Sequence, residues 1–217
     1  MIRAYDETYV EKARVALGRM LDFAVYDLNY DITLFFDWFL DSGIAEDFGR
    51  GDCSLLVGKS GVELACEVLE RIGKNLEPVS ARYAAGRSEE YWTGWALAYY
   101  QWRTALPFRE IVRHIPIMDI QALYSPYHEM DIRQFSDQMD VLYRHAQPET
   151  NLKRLRQKTG LTQKELSAQS GVPLRTIQQY EQRQKNINKA QAEYLFQLAS
   201  ALVCQADDLL EKVPCAE

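Results

Sequence analysis

Residues 161–182 read LTQKELSAQSGVPLRTIQQYEQ. Thr162 followed three positions later by Glu165 is a capping-box pair, so a helix is expected from Gln163, turning Leu166 inward with the small Ser167 and Ala168 beside it. Gly171 comes next, then Val172-Pro173, the proline expected at a first-turn position where its missing N–H costs nothing. The following helix should turn Ile177 and Tyr180 inward and Arg175, Gln178 and Gln179 outward. Two short helices crossing at a steep angle need such a set: a hydrophobe, a small residue near the crossing, a turn glycine that tolerates positive φ, and two inward residues on the second helix.

The flanks extend the pattern. Leu152 and Leu155 fall on a basic helix with Lys153, Arg154 and Arg156, ended by Thr159-Gly160. Downstream, a helix is expected from Ala190 to Leu202 with Leu195, Leu198 and Ala199 inward, then a short one from Ala206 to Lys212 carrying Leu209 and Leu210. The 161–182 segment resembles the phage-repressor-like (Cro/C1, XRE-type) helix-turn-helix family, whose usual pattern is LTQxxLAxxxGVxxxxIxxYE, and the likeness covers about a third of the chain. The resemblance implies a five-helix, lambda-repressor-like DNA-binding domain over residues 151–213. Its recognition helix would run from Val172/Pro173 to Gln182 and lie in the major groove. Leu174, Arg175, Gln178 and Gln179 are then the base-reading residues, since arginine can pair with guanine O6/N7 and glutamine with adenine N6/N7, while leucine can meet a thymine methyl. Gln163 matches a position that commonly contacts phosphate in the family, and Thr176, Arg183, Lys185 and Asn186 are further phosphate contacts, which position and do not specify. The chain departs from the family at Ser167, usually alanine, and after Tyr180-Glu181. There the family often has Gly or Asn-Gly, and this sequence reads Gln182-Arg183-Gln184-Lys185.

Charge separates this region from the rest. The 217 residues carry a net charge of −6. Residues 1–145 hold 15 Lys and Arg against 23 Asp and Glu, a net of −8, whereas residues 151–205 hold 9 against 3, a net of +6. Of the 25 aromatic residues only Tyr180, Tyr194 and Phe196 lie beyond residue 145. An acidic, aromatic-rich body and a basic, Gln-rich tail imply two modules with different partners. The expected division is a helical domain over 1–145, a linker over Ala146-Gln147-Pro148-Glu149-Thr150, the helix-turn-helix domain over 151–213 and a tail over 214–217. The pI of about 5.2 therefore says little about nucleic acid, because local charge sets the local field.

The body reads as helical throughout, making the chain all-α. Helices are expected from Thr8 to Leu28 and from Tyr30 to Leu40, before a turn at Gly49-Arg50-Gly51-Asp52. A capping box at Ser60/Glu63 opens a helix closed by Gly73, and Ser88 caps another that runs to about Ala105. A short helix should lead from Phe108 to Pro116, and a last one from about Glu129 to His145. Several signals tempt chemistry and fail on spacing. Leu55-Leu56-Val57-Gly58-Lys59-Ser60 looks like the end of a phosphate-binding loop, but Cys53 stands where the loop needs glycine. His114, His128 and His145 form no metal-ligand or nucleophile spacing, and Cys53, Cys66, Cys204 and Cys215 are scattered. No metal, no cofactor and no catalytic residue is expected. No apolar run approaches the ~18–20 residues of a membrane span, and the start lacks a signal-peptide pattern, so a cytoplasmic protein without membrane contact is expected. Trp92, Trp95, Tyr99 and Trp102 share one face of their helix. Core packing accounts for aromatics at such spacing, and a ligand- or partner-binding face is the alternative. Gly94 in the same helix points to close helix packing.

The functional expectation is a sequence-specific DNA-binding transcriptional regulator, a repressor, with an N-terminal sensing or partner-binding domain. It would bind a pseudo-palindromic operator in double-stranded DNA as a homodimer, with a protein partner or small-molecule effector at the N-terminal domain. An antitoxin-like protein is the alternative, its acidic domain sequestering a basic partner protein while its tail represses its own operon. An enzyme with an appended helix-turn-helix is a third class, and no motif supports it.

Overall fold

The computed structural model describes residues 3–74, 81 and 86–211. These divide into two compact units, 1–147 and 148–217, and no strand occurs among the described residues. The fold is all-α, as the periodicity requires.

In the first unit a 3-10 turn at Glu7–Tyr9, capped by Asp6, leads into α1 (Val10–Tyr26). Helix α2 (Ile32–Asp41) starts two residues later than its apolar pattern suggests, because the Asp31 carboxylate accepts from the N–H groups of Thr33 and Leu34. The expected turn at 49–52 is tighter than its residues imply. Helix α3 (Ile44–Arg50) runs into it and ends at Gly51 with φ 92, and Asp52 immediately caps α4 (Cys53–Leu56). Helix α5 (Gly61–Arg71) opens with the Ser60/Glu63 capping box and is followed by Gly73 at φ 74. Lys59 pairs with Glu67 and Ser60 caps, so the Gly-Lys-Ser stretch is a helix entry. Helix α6 (Glu89–Thr104) is capped by Ser88, whose hydroxyl accepts from the Tyr91 N–H. Beyond α7 (Phe108–His114) come two short helices the sequence pattern did not announce, α8 (Ile117–Ala122) and α9 (Tyr124–Tyr127). The last, α10 (Ile132–Ala146), begins at its Asp131 cap and not at Glu129.

Helix α1 is the axis of this unit, packed along α6 on one side and α5 on another. The approach of α1 and α6 is backbone to backbone. A Cβ on Gly94 would sit 2.5 Å from the Leu17 carbonyl oxygen, and one on Gly18 would sit 2.7 Å from that of Tyr91. Around this crossing Leu17, Met20, Leu21, Leu97 and Tyr100 are fully buried. Phe36, Phe39, Phe48 and Phe108 form an aromatic nest beside them, ring centroids 5.5–6.4 Å apart.

The second unit opens at Thr150, whose hydroxyl caps α11 (Asn151–Lys158). It continues through α12 (Gln163–Ser170), α13 (Leu174–Glu181), a 3-10 turn at Ile187–Lys189 and α14 (Ala192–Leu202). The last expected helix is a 3-10 turn at Ala206–Leu209, and Lys212 lies outside the described residues. The expected linker is shorter in the structure, since Ala146 ends α10 and Thr150 already belongs to the next cap. Leu152, Leu166, Val172, Ile177, Tyr180, Ile187, Leu198, Leu202 and Leu209 form the unit's own core.

Candidate nucleic-acid interface

The turn between α12 and α13 is fixed at both ends by side chains. The Thr162 hydroxyl accepts from the Glu165 N–H at 3.2 Å, and the Glu165 carboxylate accepts from the Thr162 N–H at 2.7 Å. These bonds, the backbone one first, hold the Glu165 carboxyl below its ordinary value. Gly171 ends α12 at φ 73. Ser167, where the resembled family has alanine, donates its hydroxyl to the Val172 carbonyl at 2.7 Å, and the Val172 N–H donates to Ser170 Oγ at 3.2 Å. The serine therefore adds a tie across the turn. Pro173 stands one place earlier than a first-turn residue, in the cap position at φ −54, with Leu174 opening the helix.

Helix α13 buries Ile177, Tyr180 and Glu181. The acid is part of a network that the sequence reading missed. Arg156 Nε and Nη2 donate to the two Glu181 carboxylate oxygens at 2.6 and 2.9 Å, and Arg156 Nη1 donates to the Leu161 carbonyl at 2.8 Å. The Gln163 amide donates to Glu181 Oε2 at 2.7 Å. This bidentate pair, with side chains only 12% and 2% exposed, joins α11, the start of α12 and the end of α13. Hydrogen bonding to Glu181 raises the Arg156 pKa above its already high ordinary value. The signal was present: Glu181 falls four positions after Ile177 and one after Tyr180, on the inward face, where a carboxylate needs a cationic partner.

The opposite face of α13 carries the expected base readers. Arg175 is exposed, and Leu174, Thr176, Gln178 and Gln179 are half-buried. The side chains of Arg175, Gln178 and Gln179 make no hydrogen bond to another described residue. The face thus offers a guanidinium fork, two carboxamides and an apolar contact, the groups that recognise guanine, adenine and thymine edges.

The expected phosphate contacts separate into three kinds. Lys185 and Asn186 are exposed in the loop after α13, where the Lys185 N–H donates to the Gln179 carbonyl and the Asn186 side chain accepts from the Asn188 N–H. Gln163 stands at the first turn of α12 with its amide engaged by Glu181. Arg183 is a correction. It adopts φ 53, the left-handed conformation that the family's usual glycine takes without cost. Its guanidinium is turned into the unit, donating to the Pro148 carbonyl at 2.7 Å and to Glu211 at 3.1 Å. Glu211 also accepts from the Asn151 N–H, and its backbone exchanges hydrogen bonds with the Asn188 side chain. Arg183 therefore ties Pro148 to Glu211, and its partly exposed guanidinium is already engaged within the unit.

The four aromatics of α6 do not form one open face. Trp92 and Trp102 are buried, and Trp95 and Tyr99 half-buried. Trp102 donates its indole N–H to the Tyr5 carbonyl at 2.8 Å, and Trp92 meets Tyr124 and Phe135 edge-on. The Arg14 guanidinium lies 3.3 Å from the Trp95 ring centroid and 5.2 Å from that of Tyr99. The reason is α6's central place in its unit, which surrounds both flanks of the helix. Among the described residues no cluster of His, Cys, Asp or Glu is arranged to hold a metal ion, and no helix is long and apolar enough to cross a membrane.

Residues 152–209 match a helix-turn-helix family model. The matched stretch runs from α11 to the last 3-10 turn and is a helix-turn-helix domain of the XRE type, a family of DNA-binding regulators. No curated protein and no solved structure matches the chain.

Proposed function

We propose that this chain, which carries an XRE-type helix-turn-helix domain, is a sequence-specific transcriptional repressor acting on DNA in the cytoplasm. One observation carries the reading. The outer face of α13 leaves the side chains of Arg175, Gln178 and Gln179 without hydrogen-bond partners among the described residues, while the buried Arg156–Glu181 pair holds the helix that bears them. Preorganised donors on a fixed helix can read base edges at little ordering cost. In this reading Leu174, Arg175, Gln178 and Gln179 contact bases, and Lys185, Asn186, Thr176 and the first turn of α12 at Gln163 lie along the phosphates. A single eight-residue helix reads few base pairs. A homodimer on a pseudo-palindrome, with half-sites about one helical turn apart, supplies the missing discrimination. The first unit serves as the sensing domain.

Fluorescence anisotropy with DNA from upstream of its own gene, against a shuffled control and across a salt series, tests this. The expected result is tight binding that weakens steeply with salt and favours the upstream sequence. Equal affinity for both DNAs would sink the operator reading. The acidity of residues 1–145 favours the antitoxin-like alternative, and a stoichiometric basic protein co-purifying with the chain would select it.

A further inference from the structure

A hollow of about 170 Å³ opens in the first unit beside α6 and α9, lined by Arg87, Tyr91, Trp92, Trp95, Tyr124 and His128. Its walls are already held by other contacts. Trp92 is wedged edge-on against Tyr124 at 5.6 Å and Phe135 at 5.2 Å, and Tyr124 stacks on His128 at 4.4 Å. The His128 ring is fixed in turn by Nδ1, 3.0 Å from the Tyr124 carbonyl. Tyr91 and Trp95 stand on the stretch of α6 that Gly18 and Gly94 press against α1. A ligand entering this hollow would have few side chains to order.

The size and charge of the hollow narrow its occupant. An apolar cavity of ~150 Å³ takes one benzene ring, so this one fits a single ring with a short substituent. At the mouth the exposed Arg87 guanidinium lies 5.1 Å from the Tyr91 ring centroid and pairs with no carboxylate among the described residues. Of the neighbouring acids, Glu11 pairs with Arg14 at 3.0 Å, and the exposed Glu129 has its carboxylate 3.6 Å from His128 Nε2. A guanidinium so placed beside aromatic walls repels a cation and complements a carboxylate.

We propose that this hollow binds a monocyclic aromatic carboxylate, its ring against Tyr91, Trp92 and Tyr124 and its carboxylate on Arg87. The inference rests on the reading of the first unit as a sensing domain and names what it senses.

Isothermal titration of the full chain with benzoate, benzyl alcohol and benzylamine tests it. Saturable binding of benzoate is expected, weaker by about tenfold or more for the neutral alcohol and for Arg87→Gln, since a charge-assisted hydrogen bond is lost in both. Circular dichroism of Arg87→Gln checks that the fold is kept, and Tyr124→Ala should weaken benzoate without changing its preference over the alcohol. Benzylamine binding as tightly as benzoate, indifference to Arg87→Gln, or no saturation by any probe would each overturn the proposal. The DNA titration separates this from the regulator reading. A chain that binds operator but not benzoate refutes only the hollow, and one that binds benzoate but no DNA refutes only the regulator.

Discussion

Helices α6 and α13 both draw attention in the sequence, one by its aromatics and the other by its arginine and glutamines, and they meet opposite surroundings. Helix α6 is enclosed on most sides by α1, α8, α9 and α10, so even residues on its apparent outer face are covered. Helix α13 buries a narrow stripe and leaves the rest outside. Periodicity tells which residues share a face. It does not tell how many faces a helix must bury, because that depends on how many neighbours the fold brings to it. A short helix in a small unit has few neighbours, so its pattern translates directly into exposure. A central helix in a larger unit does not.

The two units can be perturbed separately, and all four tryptophans (Trp38, Trp92, Trp95 and Trp102) lie in the first. Tryptophan fluorescence therefore follows one unit, while far-ultraviolet circular dichroism follows both. The largest effect is expected from Glu181→Ala, which strands the Arg156 guanidinium in a desolvated site and costs about 3–5 kcal/mol. In urea an early loss of ellipticity should appear with the tryptophan transition unmoved; a shift in both signals would show that the units unfold together. Gly94→Ala should do the converse. Its Cβ would meet the Leu17 backbone at 2.5 Å, and overpacking of this kind costs about 1–3 kcal/mol or more. The fluorescence midpoint should fall, and an unchanged midpoint would mean that α1 and α6 separate at no cost.

On DNA, Arg175→Ala or Gln179→Ala should lose about 1–3 kcal/mol on the preferred sequence and relax the preference at one base position. Lys185→Ala should weaken all sequences alike and lower the salt slope by about one unit. Uniform losses from all three would indicate that a different face of α13 meets the bases. The smallest effect belongs to the capping box. Glu165 has its pKa lowered from the usual 4.5, chiefly by the Thr162 N–H. Its contribution to stability is thus present above that value and lost as pH falls through the lower folded one. Thermal melts should show Glu165→Gln less stable than the parent at pH 7, and the gap should narrow on acidification toward pH 3. A constant gap would place the cost elsewhere than in the charge.

Several features of the DNA-binding unit were legible because they are local. The Thr162/Glu165 box, Gly171 and the inward Leu166, Ile177 and Tyr180 act within a few residues of one another. Glu181 and Arg183 were harder to read, since their partners stand 25 and 28 residues away in sequence. Arg183 shows the limit well. Its charge suggested phosphate, yet its backbone fills a glycine's place and its guanidinium closes the unit onto Glu211. In the first unit the caps at Asp31, Ser60 and Ser88 mark helix starts in the same local way, while α8 and α9 are too short for periodicity to reveal.

By itself, then, the amino-acid order determined the all-α class, the helix-turn-helix and the face of α13 that looks outward, because capping, turn conformation and amphipathic spacing are settled between near neighbours. Tertiary structure alone decided that α6 is enclosed, that Arg156 and Glu181 lock α13 in place, that Arg183 is tied to Pro148 and Glu211, and that Arg87 stands over an aromatic hollow. Each of these joins residues distant in the chain, and no local preference encodes which of them meet.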